Sequence, residues 1–391
     1  MSIQDSDFFL IDDGGVVKKI RADKIKTDIG DGTGIYTNDK LLVNLSDYSS
    51  RFVYAGDVLS KVTADHWMMV DRSGQNYKVS GNKVVEYLMP EGMSLPGSQT
   101  FTSPGNYTFT VPAGVQQVCI VAVGGGGGGA ASTRSNNGVS GGGGGGGALM
   151  WRNNIIVAGQ AYLYVTVGAG GSGGSYSARN DATAGGDSYV RTGSHSGSIL
   201  VRAGGGGVGR YNSPSVYNNG GITYHGTYGG GGGAGGRGGR GQNGHAGGGG
   251  GGAGGYNGSG GSGNDGSSRT ATSGSGGGGG GGGSLNSTSN YKPQVGGGGV
   301  GLYGQGTSGG AGTNRSGSSA SSISTAQGYS GSGGDGTNPD SSTRTKLYGG
   351  GGAGNEDDGD NGAADGGTGA VRILWGFGRQ FPSTQVTADF D

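Results

Sequence analysis

Short alternations of apolar and polar residues recur three times within the first 95 residues of the chain. Residues 8–25 and 67–84 align at an offset of 59, which places Asp12 on Asp71, and a shorter copy spans 40–58. Each copy reads as an apolar strand, a polar turn, a second short strand and a helical start, which predicts tandem β-hairpin and short-helix repeats. Units of about 20 residues cannot bury their own apolar faces, so the copies should stack on each other or on a neighbouring subunit.

A second pattern of strands begins at residue 98 and predicts an antiparallel β-sandwich over 98–382. Residues 100–114 alternate around turns, whereas residues 115–123 are nearly all apolar, as expected for a buried strand. Further strands are predicted at 148–152, 161–167, 188–191, 198–202 and 370–375. The last strand can join the others only across a long glycine-rich insertion at 204–368, and 383–391 follow as a polar tail.

Glycine is the most abundant residue, with 105 copies in 391 positions, nearly all of them beyond residue 97. Ordering a backbone costs about 1–2 kcal/mol per residue, and side-chain burial is too sparse in these segments to offset that cost. Backbone hydrogen bonds, at about 0.5–1.5 kcal/mol each, have the required scale. Two interpretations therefore stay open: a packed bundle of polyglycine-II strands with three residues per turn, or a flexible linker.

Charge and cysteine content exclude several classes of protein. Lys and Arg number 26 and so do Asp and Glu, so the net charge of zero offers no field for nucleic acid or an anionic membrane. A single cysteine, Cys119, excludes an intrachain disulfide. No apolar run is long enough to span a bilayer, and the N-terminus lacks a secretion signal. We expect synthesis in the cytoplasm and release by lysis.

Catalytic, metal and cofactor chemistry finds little support in the sequence. The four histidines are scattered without metal-ligand spacing, and the predicted strands carry no paired carboxylates of the kind that glycoside hydrolysis requires. We therefore expect no enzyme and no cofactor. The acidic run at 355–361 lacks the full spacing of a calcium loop. A solvated loop and a weak calcium site both remain open for it.

Tyrosine is the residue that could form a recognition surface, since 19 are present against 8 Phe. Its ring offers an apolar face and a hydroxyl at low entropic cost, and asparagines near several of these tyrosines could bind sugar hydroxyls. The tyrosines either cover the glycine-rich segments or contact a receptor. The candidate receptor contacts are Tyr211, Tyr217, Tyr224, Tyr228, Tyr256, Tyr291, Tyr303 and Tyr329.

Several motifs resemble a known group of virion proteins. Residues 109–115, the strand that ends in Gly124-Gly125-Gly126-Gly127, and the closing residues 369–376 resemble the glycine-rich domain of phage tail fibres. Residues 67–74 and 378–384 are similar to modules of cyanophage structural proteins. The whole domain is similar in style to the receptor-binding adhesins at the fibre tips of T-even phages, whose polyglycine-II helices carry variable loops.

This resemblance implies a virion protein, either a tail-fibre or a fibre-tip adhesin. The N-terminal repeats would dock on other virion proteins, and the glycine-rich domain would present loops to a host surface polysaccharide or outer-membrane protein. A homotrimer is left open, and neither nucleic-acid binding nor membrane insertion is expected. The alternative is a capsid or tail decoration protein with a purely structural role, while a polysaccharide hydrolase and an ice-binding protein are more distant alternatives.

Overall fold

The computed structural model is mainly β, with one four-residue helix among the residues it describes. Between residues 8 and 80 it describes the backbone of six strands. Beyond them it describes residues 97–131, 140–175, 182–210, 220–222, 225–241, 247–265, 271–275, 296–305, 308–310, 348–354, 363–376 and 379–382. The predicted fold class is thereby confirmed at the level of a mainly β chain.

The six N-terminal strands form three antiparallel hairpins within one sheet. Their bounds are β1 Phe8–Asp13, β2 Val16–Arg21, β3 Lys40–Asn44, β4 Ser50–Tyr54, β5 Trp67–Arg72 and β6 Gln75–Ser80. The helical starts predicted after each hairpin lie outside the described residues.

The first strands of the three hairpins pair with one another in a closed cycle. The end of β1 pairs with the start of β3, the end of β3 with the start of β5, and the end of β5 with the start of β1. In each case the fifth residue of one strand lies opposite the first residue of the next. The pairs are Asp12 with Lys40, Asn44 with Trp67 and Asp71 with Phe8. The strand pairing of this sheet therefore has a pseudo-threefold pattern.

Two further antiparallel sheets follow. Their strands are β7 Gly97–Phe101, β8 Gly105–Thr110, β9 Gln117–Val123, β10 Leu149–Ile156, β11 Tyr162–Val167, β12 Ser188–Arg191, β13 Ile199–Ala203, β14 Gly231–Gly233 and β15 Ala370–Trp375. The five-stranded sheet has the order β14-β10-β9-β15-β7, and the four-stranded sheet has the order β13-β12-β11-β8. The late strand β15 lies between β9 and β7, so the chain returns across the insertion to an interior position of a sheet.

The five-stranded sheet is buried on both faces. One apolar cluster takes Ile120 of β9 and Ile373 of β15, and packs them against residues of the four-stranded sheet such as Leu163 and Val190. A second cluster takes the intervening residues, including Val121 of β9. Successive side chains of a strand point to opposite faces, so a strand buried on both sides needs a continuous apolar run. This explains the pattern that predicted the buried strand at 115–123.

The glycine-rich segments pack beside the sheets and are joined by backbone hydrogen bonds with a period of three residues. The amides of 124, 127 and 130 donate to carbonyls within 142–148. Those of 125 and 128 donate to carbonyls within 183–186, and those of 126 and 129 to carbonyls within 364–367. The donor–acceptor distances lie between 2.8 and 3.0 Å. Because the direction of the N–H repeats every three residues, the segment can bond to several neighbours at once, whereas a strand in a sheet bonds to only two.

Carbonyl groups complete the contacts of residues 124–130. The carbonyls of Gly125 and Gly128 accept from 206–209, those of Gly126 and Gly129 from 171–174, and that of Gly127 from Gly352. Together with the three donor directions, this gives the segment six neighbouring segments. Backbone hydrogen bonds thus hold the described glycine segments within the domain.

Close approach of the backbones explains why side chains are missing from these segments. A Cβ added at Gly127 would lie 2.0 Å from the carbonyl oxygen of Gly207, and one added at Gly144 would lie 2.1 Å from that of Gly127. Real Cβ atoms essentially never approach within 3.0 Å of such an atom. Glycine at these positions is therefore required by packing, whatever its cost in backbone entropy.

Candidate functional site

Tyr256 lies in the protein interior and is 0% exposed. Its hydroxyl donates to the carbonyl of Gly301 at 3.2 Å and accepts from the amide of Gly304 at 3.1 Å. Its ring stacks on Phe381 with a centroid separation of 6.1 Å, and burial raises the pKa of its hydroxyl far above the usual value. The sequence places Tyr256 among the candidate receptor contacts. The structure differs, because this ring closes the second apolar cluster and does not reach solvent.

Tyr303 is partly buried at the edge of the same cluster. The guanidinium carbon of Arg372, a fully buried residue of β15, lies 4.1 Å from the centroid of its ring, which is within cation–π range. Tyr303 therefore covers a buried cation. Tyr228 ends the short helix α1, His225–Tyr228, and is partly buried against the first apolar cluster. For these two residues, receptor contact stays a prediction.

The other candidate tyrosines lie outside the described residues. They are Tyr211, Tyr217, Tyr224, Tyr291 and Tyr329. The structure consequently brings Tyr256 and Tyr303 to one cluster and Tyr228 to another, and it leaves the grouping of the remaining five as a prediction.

The topology of the glycine segments defines an end of the bundle that we call the distal end. Residues 124–130 leave the sheets at the end of β9, and antiparallel pairing returns the chain along 142–148 to β10. The chain likewise leaves β11 through 168–174 and returns through 183–186 to β12. In both cases the described segments turn back far from the sheets.

Five pairs of described segments end at the distal end in this way, and the segment 204–210 also ends there, beside 142. The residues that join the five pairs are 132–139, 176–181, 242–246, 266–270 and 355–362, and residues 211–219 follow the segment 204–210. All of these connecting residues lie outside the described residues. They include Tyr211, Tyr217 and the acidic run 355–361, whose calcium interpretation remains untested.

A second surface with recognition chemistry lies on the outer face of the four-stranded sheet, and sequence reasoning missed it. Tyr164 of β11 lies beside Arg191 of β12 in the register, and its ring meets that of His195 edge-on at 5.2 Å. Arg191 Nη1 donates to the carbonyl of His195 at 2.7 Å. The available signal was the alternation Tyr162-Leu163-Tyr164, in which the tyrosines point away from the core side of the strand.

Tyr189 lies at the centre of the charged part of this outer face. The guanidinium carbons of Arg191 and Arg202 lie 4.6 and 5.5 Å from the centroid of its ring. Asp187 Oδ2 accepts from Arg202 Nε at 2.8 Å and from Nη2 at 2.6 Å, and Oδ1 accepts from the amide of Gly205. Burial, assisted by the Asp187 carboxylate, raises the pKa of the Tyr189 hydroxyl. The uncharged ring of Tyr189 therefore lies between the guanidinium groups of Arg191 and Arg202.

Metal and membrane chemistry find no further support in the part of the chain that the structure describes. Within that part, no three His, Cys, Asp or Glu side chains lie close enough together to hold a metal ion. The search of the same residues for a helix able to cross a membrane found none. Cys119 is buried, its Sγ donates to the carbonyl of Arg379 at 3.1 Å, and burial raises its pKa.

One comparison with known proteins gave a match. A family model described as a glycine-rich domain matches residues 102–319, which is more than half of the chain. No curated protein matched. The described structure extends beyond the matched range on both sides, since β7 precedes it and β15 follows it within the same sheet.

Proposed function

This chain belongs to the glycine-rich domain family, and from that premise we propose that it is a phage virion structural protein, a tail-fibre or fibre-tip adhesin. Its partners are other virion proteins on one side and a host surface polysaccharide or outer-membrane protein on the other. The β-sandwich and its glycine segments act as the scaffold, and the distal joins act as the receptor-binding surface.

The observation that carries this proposal is that five pairs of described glycine segments, together with the segment 204–210, end at the distal end. A surface made from several connecting segments on a rigid support is the arrangement that binding proteins use most often. The support in this chain is stiff because its main chain bonds to neighbours in several directions. The sequence of the joins can then vary without disturbing the scaffold, which suits recognition of variable host surfaces.

The three-residue period supports a finer assignment of the scaffold as a polyglycine-II bundle. Polyglycine-II strands share the threefold geometry of polyproline-II, which has three residues per turn and no internal hydrogen bonds. The amides of residues 124–129 alternate among three neighbours in that rhythm. A bundle of this kind leaves few backbone groups without a partner, although it contains almost no side chains.

The N-terminal sheet supports the docking half of the proposal. Its pseudo-threefold strand cycle presents three similar hairpins around one axis. Such a module suits the end of a threefold-symmetric support such as a fibre, because each hairpin can then meet one chain of the support. Antibodies against residues 1–95 should bind the free chain and be blocked on the particle.

Binding of the purified full-length chain to a panel of cyanobacterial strains tests the adhesin function. The labelled chain should bind particular strains and compete with the adsorption of phage to them. Replacing Tyr211 and Tyr217 by Ala in residues 211–219, which follow the distal end of the segment 204–210, should weaken both effects. The matched control is Ile156→Ala, which removes a side chain that is 73% exposed near the sheets and should leave binding unchanged.

One outcome would contradict the adhesin function, and another would contradict the assignment of the distal end as its receptor surface. Immunolabelling of the virion combined with absent binding and absent competition would favour the decoration protein. Binding that falls equally in the Ile156→Ala control would show that the distal end is not the receptor surface.

A further inference from the structure

The outer face of the four-stranded sheet carries a row of aromatic and cationic side chains. We call it the tyrosine–arginine face, and it consists of Tyr162, Tyr164, Tyr189, Arg191 and Arg202. The alternate residues of the same strands, including Leu163 and Val190, are buried in the first apolar cluster. Tyr162 is 48% exposed, and the other four are partly exposed. The face is thus fixed by the core beneath it.

Hydroxyl and amide groups border these rings. Thr108 of β8 lies opposite Tyr164, and Thr110 lies opposite Tyr162. Beside them, Thr166 donates its hydroxyl to Asn106 Oδ1 at 2.7 Å. Four strands spaced about 4.8 Å apart give rows about 14 Å long. A surface of this size combines flat rings with hydrogen-bonding groups, which is the chemistry that binds an extended sugar chain.

The charged side chains of the tyrosine–arginine face indicate which class of ligand it can bind. Asp187 is the one acidic residue among the described residues of this face, and Arg202 holds it with two hydrogen bonds. Arg191 instead donates from Nη1 to the carbonyl of His195, and its Nε is buried without a hydrogen-bond partner among the described residues, so contact with a ligand falls to the Nη groups. The face therefore retains one arginine whose charge no described carboxylate matches. Arginine is suited to a planar carboxylate, which it binds through two parallel hydrogen bonds.

We propose that the tyrosine–arginine face binds an acidic polysaccharide. Arg191 pairs with a sugar carboxylate, the rings of Tyr164 and Tyr189 pack against the C–H faces of neighbouring sugars, and the threonines bind sugar hydroxyls. This goes beyond the proposed function, because it concerns the framework sheet and names a ligand class, whereas that function concerns the distal end. Both surfaces can act on the same cell envelope without depending on each other.

The test measures binding of the full-length chain to polygalacturonate, with neutral dextran and single-stranded DNA as comparison ligands. Polygalacturonate should bind with saturation, and dextran should bind at least about tenfold more weakly, since it offers no carboxylate for a charge-assisted hydrogen bond. Arg191→Gln should reduce the affinity for polygalacturonate by about tenfold or more. Tyr164→Ala should also reduce the affinity for polygalacturonate, because the contact between the ring and a sugar is lost.

Arg237→Gln serves as the matched control, because Arg237 is exposed and lies within the glycine segment 234–241, which follows β14 of the five-stranded sheet. It should leave the affinity unchanged, and circular dichroism should show that every variant is folded at the temperature of the binding measurement. Equal affinity of the Arg191→Gln variant and the unmodified chain would overturn the proposal. So would dextran binding as tightly as polygalacturonate, or DNA binding as tightly with the same sensitivity to Arg191→Gln. If the Arg191→Gln and Tyr164→Ala variants still bind cells, the adhesin function of the distal end does not depend on the tyrosine–arginine face.

Discussion

Adding one methyl group inside the glycine bundle is expected to destabilise the whole domain. In Gly127→Ala the new Cβ would lie 2.0 Å from the carbonyl oxygen of Gly207. Since alanine has no rotamer that could move this atom, the two segments would have to separate by about 1 Å to reach the shortest contacts that real Cβ atoms make. Such a shift exceeds what a hydrogen bond tolerates.

The hydrogen bonds at risk are those that join the same two segments on either side of the new methyl group. Gly206 N donates to Gly125 O at 2.8 Å, and Gly209 N donates to Gly128 O at 2.8 Å. A buried polar group that loses its partner costs about 1–3 kcal/mol, so two such bonds correspond to about 2–6 kcal/mol. Alanine reduces the entropy of the unfolded chain, which returns about 0.4–1 kcal/mol.

We therefore expect Gly127→Ala to lower the free energy of unfolding by about 1–6 kcal/mol. Urea denaturation of the full chain, followed by far-ultraviolet circular dichroism, measures it. Gly367→Ala is the matched control in the same bundle, because its added Cβ would come no closer than 3.2 Å, to the amide nitrogen of Gly350. That variant should change stability by less than about 1 kcal/mol. If the two variants have the same stability, close packing of the glycine segments is refuted.

Three further changes probe the sheets and their covering layer. Asp187→Asn should lower the free energy of unfolding by about 1–3 kcal/mol, because Arg202 would lose its charged acceptor. The pKa of Tyr256 is raised by burial, so the unfolded chain ionises first and stability should fall as the pH rises above about 10. Cys119, whose pKa burial also raises, should resist alkylation by iodoacetamide at pH 8 until the chain is unfolded.

Each of these results has a control. Asp365→Asn, at an exposed carboxylate whose Oδ1 accepts from the amide of Gly173, should cost less than Asp187→Asn, and an equal loss would deny the ion pair a special role. Tyr256→Phe should flatten the alkaline fall in stability, and an unchanged slope would assign it to other groups. Alkylation of the native chain at the rate of the unfolded chain would show that Cys119 is accessible. Mass spectrometry measures that rate.

The strand framework was predictable because its residues carry side chains with a readable period. Residues 188–191 and 370–375 were predicted as strands and are strands. The apolar run of β9 was read as buried, and the structure supplies the reason, since its alternate residues enter two different clusters. Strand β14, by contrast, consists only of glycine. Without side chains it has no pattern, so its place at the edge of the five-stranded sheet was not predictable.

For the candidate site, the sequence indicated a residue type but not which side chains are exposed or lie together. The abundance of tyrosine drew attention to aromatic rings, yet the burial of Tyr256 depends on residues far away in sequence, such as Phe381. The meeting of Tyr189 with Arg202 likewise depends on the pairing register of β12 with β13. Composition cannot reveal such a register, because many segments of similar composition compete for the same neighbours.

By itself, the amino-acid sequence determined that the chain is mainly β, that its net charge is zero, and that its long glycine runs depend on backbone bonding if they are ordered. Only the tertiary structure decided which glycine segments lie side by side and which tyrosines are buried. The physical reason is that the alternation of side chains along a strand is a local property of the sequence, whereas a glycine segment offers the same donor and acceptor at every residue. The neighbours of a glycine segment are therefore decided by the positions of the strands between which it runs.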